Sequence, residues 1–552
     1  MESERSTLEK ERSLYLPRLP QVLAAGIRSL SVTETASTPG SRDSEEFRAR
    51  FPGIHGQPIL ELAPGAGPVE AGPRTVGVVL SGGQAPGGHN VITGLFDALC
   101  GLDRTSKLYG FLGGPKGIFT ERVEELIGSR IDPFRNTGGF DLIGSGRDKI
   151  ETDEQFAACR RVCEKLALDG LVIVGGDDSN TNAALLAEYF VERDVPVTVV
   201  GVPKTIDGDL KGEYVETSFG FDTATKLYSE LIGNISRDAI SAAKYWHFIK
   251  LMGRSASHVT LECALATRAN IALIGEEVAK KGMTLAQVVD GVAEVICRRA
   301  AAGRHYGICL VAEGLIEFIP EMRGLIDELN TILAEGDREA GTAPEEERIA
   351  KRLQSGSREV FLGLPPLIRR QLLLDRDSHG NVQVSKIDTE QLLIEQVRSR
   401  LEELRTAGTF DGKFKVQPHF LGYEGRCAAP SNFDADYTYG LGTVAAALIA
   451  FRKTGYICAI GNLVASPDDW RALGVPLTSM MQIESRKGVP TPVIARALVD
   501  LDGAPFRAFA AAREAWQVED HYLYPGPIQY FGPTQIADAR TRTLHFERDP
   551  GR

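Results

Sequence analysis

Two carboxylates and two lysines share one short stretch, PKTIDGDLK, from Pro203 to Lys211. Asp207 and Asp209 lie two apart, flanked by Lys204, Thr205 and Lys211. A carboxylate fixed beside a hydroxyl can take its proton, and cations around a phosphoryl group spread the charge that develops as it moves. The stretch therefore suits phosphoryl transfer to an alcohol, although a polar solvated loop has the same composition. A second acidic stretch, IVGGDDSNTNA, places Asp177 and Asp178 directly after a glycine pair. A helix N-terminus tolerates such anions, but a phosphate arriving beside them is repelled unless a metal or a lysine intervenes. Asp178 also suits the plainer role of capping a helix that begins near Asn180.

Two glycine turns add phosphate chemistry. LSGGQAPGGHN sets Gly82, Gly83, Gly87 and Gly88 where backbone N–H groups can approach an anion without side-chain obstruction, or where a strand simply turns tightly into a helix. It is neither GxxxxGK[ST] nor GxGxxG, so it is neither a P-loop nor a dinucleotide fingerprint. TGGFDLIGSGR ends in Arg147, whose guanidinium can fork two phosphate oxygens or form an ordinary surface ion pair.

The elements that must position these residues alternate. A Val-rich run from Val76 to Leu80 leads through the first glycine turn into an apolar-periodic stretch, and the order recurs at GLVIVGGDDSNTNAALLAEYF and VPVTVVGVPKTIDGDL. Strand-like runs return at IALIGEEV and YGICLVAEG. Alternation of this kind predicts parallel sheets flanked by helices, with ligands at the C-terminal ends of the strands. Residues 1–74 read as a polar, Pro/Gly-rich extension, and residues 317–406 as a charged helical insertion around the turn DRDSHGN. The α/β pattern resumes at FKVQPHFLGYEGR, and YGLGTVAAALIAFRKTG reads as a helix closed by Gly455.

Composition bounds the function. A chain of 552 residues, 43% of them hydrophobic, can bury large cores, and its length suggests about three or four domains. A net charge of −12 argues against nucleic acid as a partner. The eight cysteines form no CxxC pair and read as reduced thiols. No apolar run reaches the ~18 residues of a membrane span, and the charged start lacks the apolar stretch of a signal peptide, so a cytoplasmic protein is expected.

Taken together, Gly82–Asn90, Gly138–Arg147, Gly175–Ser179, Pro203–Asp209, Met252–Arg254 and Gly422–Arg426 resemble the motifs of the phosphofructokinase family, and within it the long pyrophosphate-dependent branch. The resemblance runs in order over roughly residues 75 to 470. It implies two Rossmann-like α/β domains with parallel-rich sheets: residues 75–225 with about 425–500 binding pyrophosphate and metal, and 226–316 with about 407–424 binding the sugar. The extension, the helical insertion and a C-terminal segment, residues 501–552, complete the chain.

The resemblance also implies roles. Asp207 looks like the base that accepts the C1 hydroxyl proton of fructose 6-phosphate, with Asp209 as its companion. Asp177 resembles the Mg²⁺ ligand, and Gly83 and Arg147 resemble phosphate contacts. Thr205, Met252, Gly253, Arg254, Glu276, Tyr423 and Arg426 look like contacts to the sugar substrate. ATP-using relatives carry glycine where this chain has Asp178, whose volume and charge oppose a nucleotide α-phosphate; Lys204 offers an ammonium to the shorter pyrophosphate. The reaction implied is reversible phosphoryl transfer from pyrophosphate to fructose 6-phosphate, a step of glycolysis and gluconeogenesis. An ATP-dependent enzyme and a non-catalytic regulatory subunit are the alternatives. A homodimer or higher homo-oligomer is expected, because relatives borrow a basic residue from a neighbouring subunit for the 6-phosphate; Lys244, Lys250 and Lys415 are all candidates. His89 and His258 are expected to be packing or polar contacts.

Overall fold

A computed structural model describes residues 5–37, 45–65, 72–336, 346–374, 376, 381–486 and 489–548. The chain forms two compact units rather than three or four. The first comprises Met1–Ala224, Tyr423–Ala497 and Ile528–Leu544; the second comprises Thr225–Gly422, Leu498–Pro527 and His545–Arg552. Among the described residues no helix is long and apolar enough to cross a membrane.

In chain order the strands are β1 (Leu30–Ser37), β2 (Pro58–Pro64), β3 (Thr75–Leu80), β4 (Lys107–Phe111), β5 (Val123–Glu125), β6 (Gly170–Gly175), β7 (Thr198–Thr205) and β8 (Phe219–Gly220). Then follow β9 (Tyr245–Leu251), β10 (Ile271–Leu273), β11 (Tyr306–Ala312), β12 (Val416–Leu421), β13 (Tyr456–Gly461), β14 (Arg471–Pro476), β15 (Met481–Arg486) and β16 (Val489–Ile494).

The first unit is built on a ten-stranded sheet in the order β1-β2-β14-β13-β7-β6-β3-β4-β5, with β8 paired to β7. Strands β13, β7, β6, β3 and β4 run parallel, and antiparallel pairs close both edges. The central runs TVGVVL and GLVIVG are buried almost throughout, as strands covered on both faces must be. From β3 the chain continues to β4 on one side; from β6 it continues to β7 on the other. The order therefore reverses between β3 and β6, where a doubly wound sheet opens a crevice at its carboxyl ends.

Three helices matter to that crevice: α1 (Gly88–Leu102), α2 (Asp177–Val191) and α3 (Asn432–Ala450). Helices α1 and α3 pack tightly because Gly94 faces the Tyr439 carbonyl and Gly442 faces the Val91 carbonyl; a methyl group at either would overlap backbone. Helix α3 ends at Ala450, before the expected stop at Gly455. Arg452 takes the left-handed conformation just past the helix, its N–H donating to the Ile449 carbonyl, while Gly455, also at positive φ, leads into β13 with its N–H bonded to the Val199 carbonyl.

The segment before Thr75 is more than an extension. It supplies β1 and β2 to the sheet, and Arg12 is buried, donating to Asn432 Oδ1 at 2.8 Å and the Pro430 carbonyl at 2.7 Å. β1, LSVTETAS, shows why polar composition misleads here: it is an antiparallel edge strand in which polar residues alternate with Leu30 and Val32.

The second unit carries a parallel sheet in the order β10-β11-β9-β12. The stretch expected as a helical insertion is helical at Pro320–Gly336, Glu346–Arg352, Ser355–Gly363, Pro366–Leu374 and Thr389–Thr406. Its apolar residues Ile349, Phe361, Leu372 and Leu393 share one core with Trp246, Phe248 and Ile296. Most of the turn DRDSHGN lies outside the described residues.

Candidate active site

Strand β3 delivers the glycine turn to the switch point. Ser81 N–H bonds to the Val174 carbonyl of β6 at 2.8 Å, and Gly82 N–H to the Gly146 carbonyl at 2.8 Å, so the turn is tied on both sides. Gly82 has a φ of +83°, which an L side chain rarely adopts. At Gly83 a methyl group would overlap the Arg426 guanidinium, whose Nε reaches the Gln84 carbonyl at 3.4 Å. Lys204 at the end of β7 is buried and donates to the Gly83 carbonyl at 2.6 Å. Removal from water pushes its ammonium down to about 8, with repulsion from Arg426 and Arg147 adding to the effect and Asp207 and Asp177 opposing it. Gly83, Lys204, Arg147 and Arg426 therefore form one electropositive cluster around bare backbone, the environment a small multivalent anion requires.

The acidic pair sits opposite, at the end of β6. Helix α2 begins at Asp177, not near Asn180; Gly176 is the N-cap residue and makes no side-chain capping bond. Asp178 is therefore a first-turn residue and not a cap. Asn180 Nδ2 takes the carbonyls of Gly175 and Gly176 at 2.7 and 2.9 Å, which fixes the strand-to-helix corner. Each aspartate has a cation of its own. Asp177 Oδ2 accepts from Arg496 Nε at 2.6 Å, and Asp178 Oδ2 lies 3.1 Å from Lys149 Nζ. The sequence reading missed both cations, since neither lies in a recognisable motif.

Beyond β7, Asp207 N–H donates to Thr205 Oγ1 at 3.1 Å and Gly208 turns the chain with a φ of +76°. Burial raises the proton affinity of Asp209, and the charges of Asp207 and Asp177 raise it further, so these three carboxylates share one field. Among the described residues no group of three or more His, Cys, Asp and Glu side chains is arranged to hold a metal by itself. Hard oxygen donors in ones and twos, completed by phosphate oxygens, are nevertheless the usual setting for Mg²⁺, and Asp177 with its acidic neighbours fits that pattern.

The expected sugar contacts fall in both units. Tyr423 and Arg426 belong to the first, on the short helix Tyr423–Arg426, with Tyr423 exposed and the Arg426 guanidinium 5.9 Å from its ring centroid. Met252, Gly253 and Arg254 follow β9 in the second, where Gly253 has a φ of +138°. Gly253 N–H donates to Glu313 Oε2 at 3.0 Å, which places the Glu313 carboxylate, at the end of β11, against the expected sugar loop. Glu276 stands beside the same segment: its Oε1 accepts from Ser257 N–H and Val499 N–H, both at 3.0 Å, while its Oε2 is buried with no hydrogen-bond partner among the described residues. Both glutamates follow a strand, and each accepts from a backbone N–H of the segment 253–257. Lys250 is also committed, lying 3.0 Å from Glu390 and donating to the Ile387 carbonyl at 3.1 Å, whereas Lys244 and Lys415 are exposed. His89 is fully buried, bonded to Thr137 and edge-on to Phe134, and desolvation lowers it to about 4, the state of a packed neutral ring.

The fold and this crevice define a class of sugar-phosphate phosphotransferase. Residues 75–449 match the family described as Phosphofructokinase, and the chain belongs to the phosphofructokinase family. It is 53% identical to the pyrophosphate–fructose 6-phosphate 1-phosphotransferase of Treponema pallidum (strain Nichols), covering 98% of this chain and 97% of that one. It is 50% identical to the enzyme of the same name from Porphyromonas gingivalis, covering 99% of each, and 52% identical to subunit beta 2 of the Arabidopsis thaliana enzyme, covering 91% and 88%. Among solved structures, pyrophosphate-dependent phosphofructokinases from Nitrosospira multiformis and Marinobacter aquaeolei share the fold. Their TM-scores are 0.51 and 0.52 at 17% and 16% identity, over 73% and 81% of this chain and 83% and 93% of theirs.

Proposed function

We propose that this chain transfers a phosphoryl group from pyrophosphate to the C1 hydroxyl of fructose 6-phosphate, giving fructose 1,6-bisphosphate and phosphate. The observation that carries the reading is the crevice between β3 and β6. Bare glycine backbone and the buried Lys204 receive a short anion there, while Asp178 occupies the first turn of α2 where a glycine would leave room for a longer donor. The names of relatives near 50% identity over nearly the whole chain support the same donor and acceptor.

In this mechanism Asp207 takes the C1 hydroxyl proton as the oxygen attacks, and its turn, fixed by Thr205 Oγ1, holds the carboxylate for that task. Lys204, Arg147, Arg426 and the Gly83 N–H balance the charge on the moving phosphoryl group and on the departing phosphate. Asp177 would hold Mg²⁺, which when bound supplies further positive charge to the phosphate oxygens. In the reverse direction Asp207 returns the proton to the C1 oxygen. On the sugar side we assign Tyr423, Met252, Gly253, Arg254 and Glu276 as contacts, with Glu313 Oε2 holding the Gly253 N–H.

The purified chain alone, assayed with each donor, tests the reading. Turnover with pyrophosphate and at most traces with ATP is the expected result. Asp207→Ala should lower kcat at least ~10²-fold while the protein stays folded and still binds the sugar phosphate. A chain inactive with pyrophosphate, or an Asp207→Ala variant with near-parental kcat, overturns it.

A further inference from the structure

Asp178 does not stand alone, and its partner changes what it does. Lys149 Nζ lies 3.1 Å from Asp178 Oδ2, and the lysine side chain is mostly buried. Its backbone position is fixed independently of that ion pair. Three residues on one side, Gly146 bridges to Ser81 and its carbonyl accepts the Gly82 N–H. On the other side Ile150 is clamped to α2, its N–H donating to Asn182 Oδ1 at 3.1 Å and its carbonyl accepting from Asn182 Nδ2 at 2.9 Å. Lys149 is thus held between the glycine turn and the second turn of α2, with its ammonium delivered to the mouth of the crevice.

We infer that Lys149 is a specificity-determining residue: it is a latent ligand for the third phosphate of a linear triphosphate, masked in this chain by Asp178. The inference rests on the donor reading above and extends it. In the parent, the Lys149 ammonium neutralises the carboxylate that stands nearest the donor entrance, so pyrophosphate meets an ion pair and not a bare anion. Removing the carboxylate does two things at once: it vacates volume, and it leaves a pre-positioned cation with no carboxylate at residue 178. A phosphate extending past the two that Lys204 and the glycine turn hold would then inherit Lys149 as its counter-charge. The two residues are close enough that their substitutions should couple strongly.

Five proteins test this: the parent, Asp178→Gly, Lys149→Met, Asp178→Gly with Lys149→Met, and Asp178→Gly with Lys149→Arg, each checked for folding by circular dichroism. Inorganic tripolyphosphate, which carries no base or ribose, is the probe, and its Kd is measured by calorimetry. Asp178→Gly should tighten tripolyphosphate binding about tenfold or more over the parent, and in the Lys149→Met background the same change should gain less than about threefold. Lys149→Arg should retain the gain. Pyrophosphate supplies a second readout: Lys149→Met alone should raise KM for pyrophosphate several-fold, because Asp178 is then uncompensated, and adding Asp178→Gly should bring it back toward the parent value. Equal gains in tripolyphosphate affinity with and without Lys149, or no gain in either background, overturn the inference even if the parent uses pyrophosphate normally. A parent that does not turn over pyrophosphate at all instead overturns the donor reading.

Discussion

Lys204 shows how one residue can set both the activity and the stability of this fold against pH. Its ammonium titrates near 8, well below the usual lysine range, chiefly because it is buried and secondarily because Arg426 repels it. Only the charged form receives an anion, so kcat/KM for pyrophosphate should fall as pH rises through about 8, with the loss appearing mainly in KM because bound pyrophosphate raises the lysine's proton affinity again. Stability moves the other way. The unfolded lysine holds its proton to higher pH than the folded one, so this group's contribution to folding rises between pH 8 and its ordinary value of 10.5. Lys204→Met should abolish the alkaline fall in kcat/KM; a profile unchanged by that substitution would remove Lys204 from donor binding. Residues of this kind were legible because they cluster: Lys204, Asp207 and Asp209 share one loop. Lys149 and Arg496 were not, because an ion pair between residues 177 and 496 leaves no trace in local spacing. The contact of Glu313 with Gly253 was not legible for the same reason, since sixty residues separate them in the chain.

At the scale of elements, the central strands were readable because each is a continuous apolar run ending in a glycine turn, a pattern that burial on both faces imposes. The edges were not. β1 alternates polar and apolar residues, and β2 is a short run, PILELAP, bounded by prolines; both disappear among polar and Pro/Gly-rich neighbours, so the first 74 residues read as an extension. Their attachment is instead concentrated in a few buried polar contacts. Arg12 bonds to Asn432 and Pro430 and stacks its guanidinium over Tyr530, at 4.3 Å from the ring centroid, while Tyr15 and Arg18 bond to Asp436 of α3. Arg12→Ala leaves those acceptors buried without a donor, which should cost about 1–3 kcal/mol of stability. Chemical denaturation should register that loss with kcat essentially unchanged; a variant as stable as the parent would show that the N-terminal segment is merely laid on the surface.

For the whole molecule, length alone suggested more domains than form, because neither the N-terminal segment nor the inserted helices make a core of their own. The strands extend the first unit's sheet, and Ile349, Phe361 and Leu393 complete the core around Trp246 and Phe248 in the second. The remaining question at this scale is how the sugar 6-phosphate is neutralised. Lys250 is buried against Glu390, so its charge is already spent within the second unit. Lys244 and Lys415 stay exposed, which suits a residue offered to another subunit. We therefore expect a homo-oligomer, at least a dimer by light scattering, in which Lys244 or Lys415 reaches the neighbour's sugar site. Complementation tests this more sharply than mass does. Asp207→Ala should be inactive, and Lys244→Met or Lys415→Met should raise KM for fructose 6-phosphate steeply. If the site takes its base from one subunit and its cation from the other, random re-pairing of the Asp207→Ala protein with the cation variant regenerates about a quarter of the sites intact. The mixture should then recover low-KM activity that neither protein has alone. Recovery with one lysine variant and not the other names the donor; no recovery with either, in subunits shown to have exchanged, would mean that each chain neutralises its own sugar phosphate.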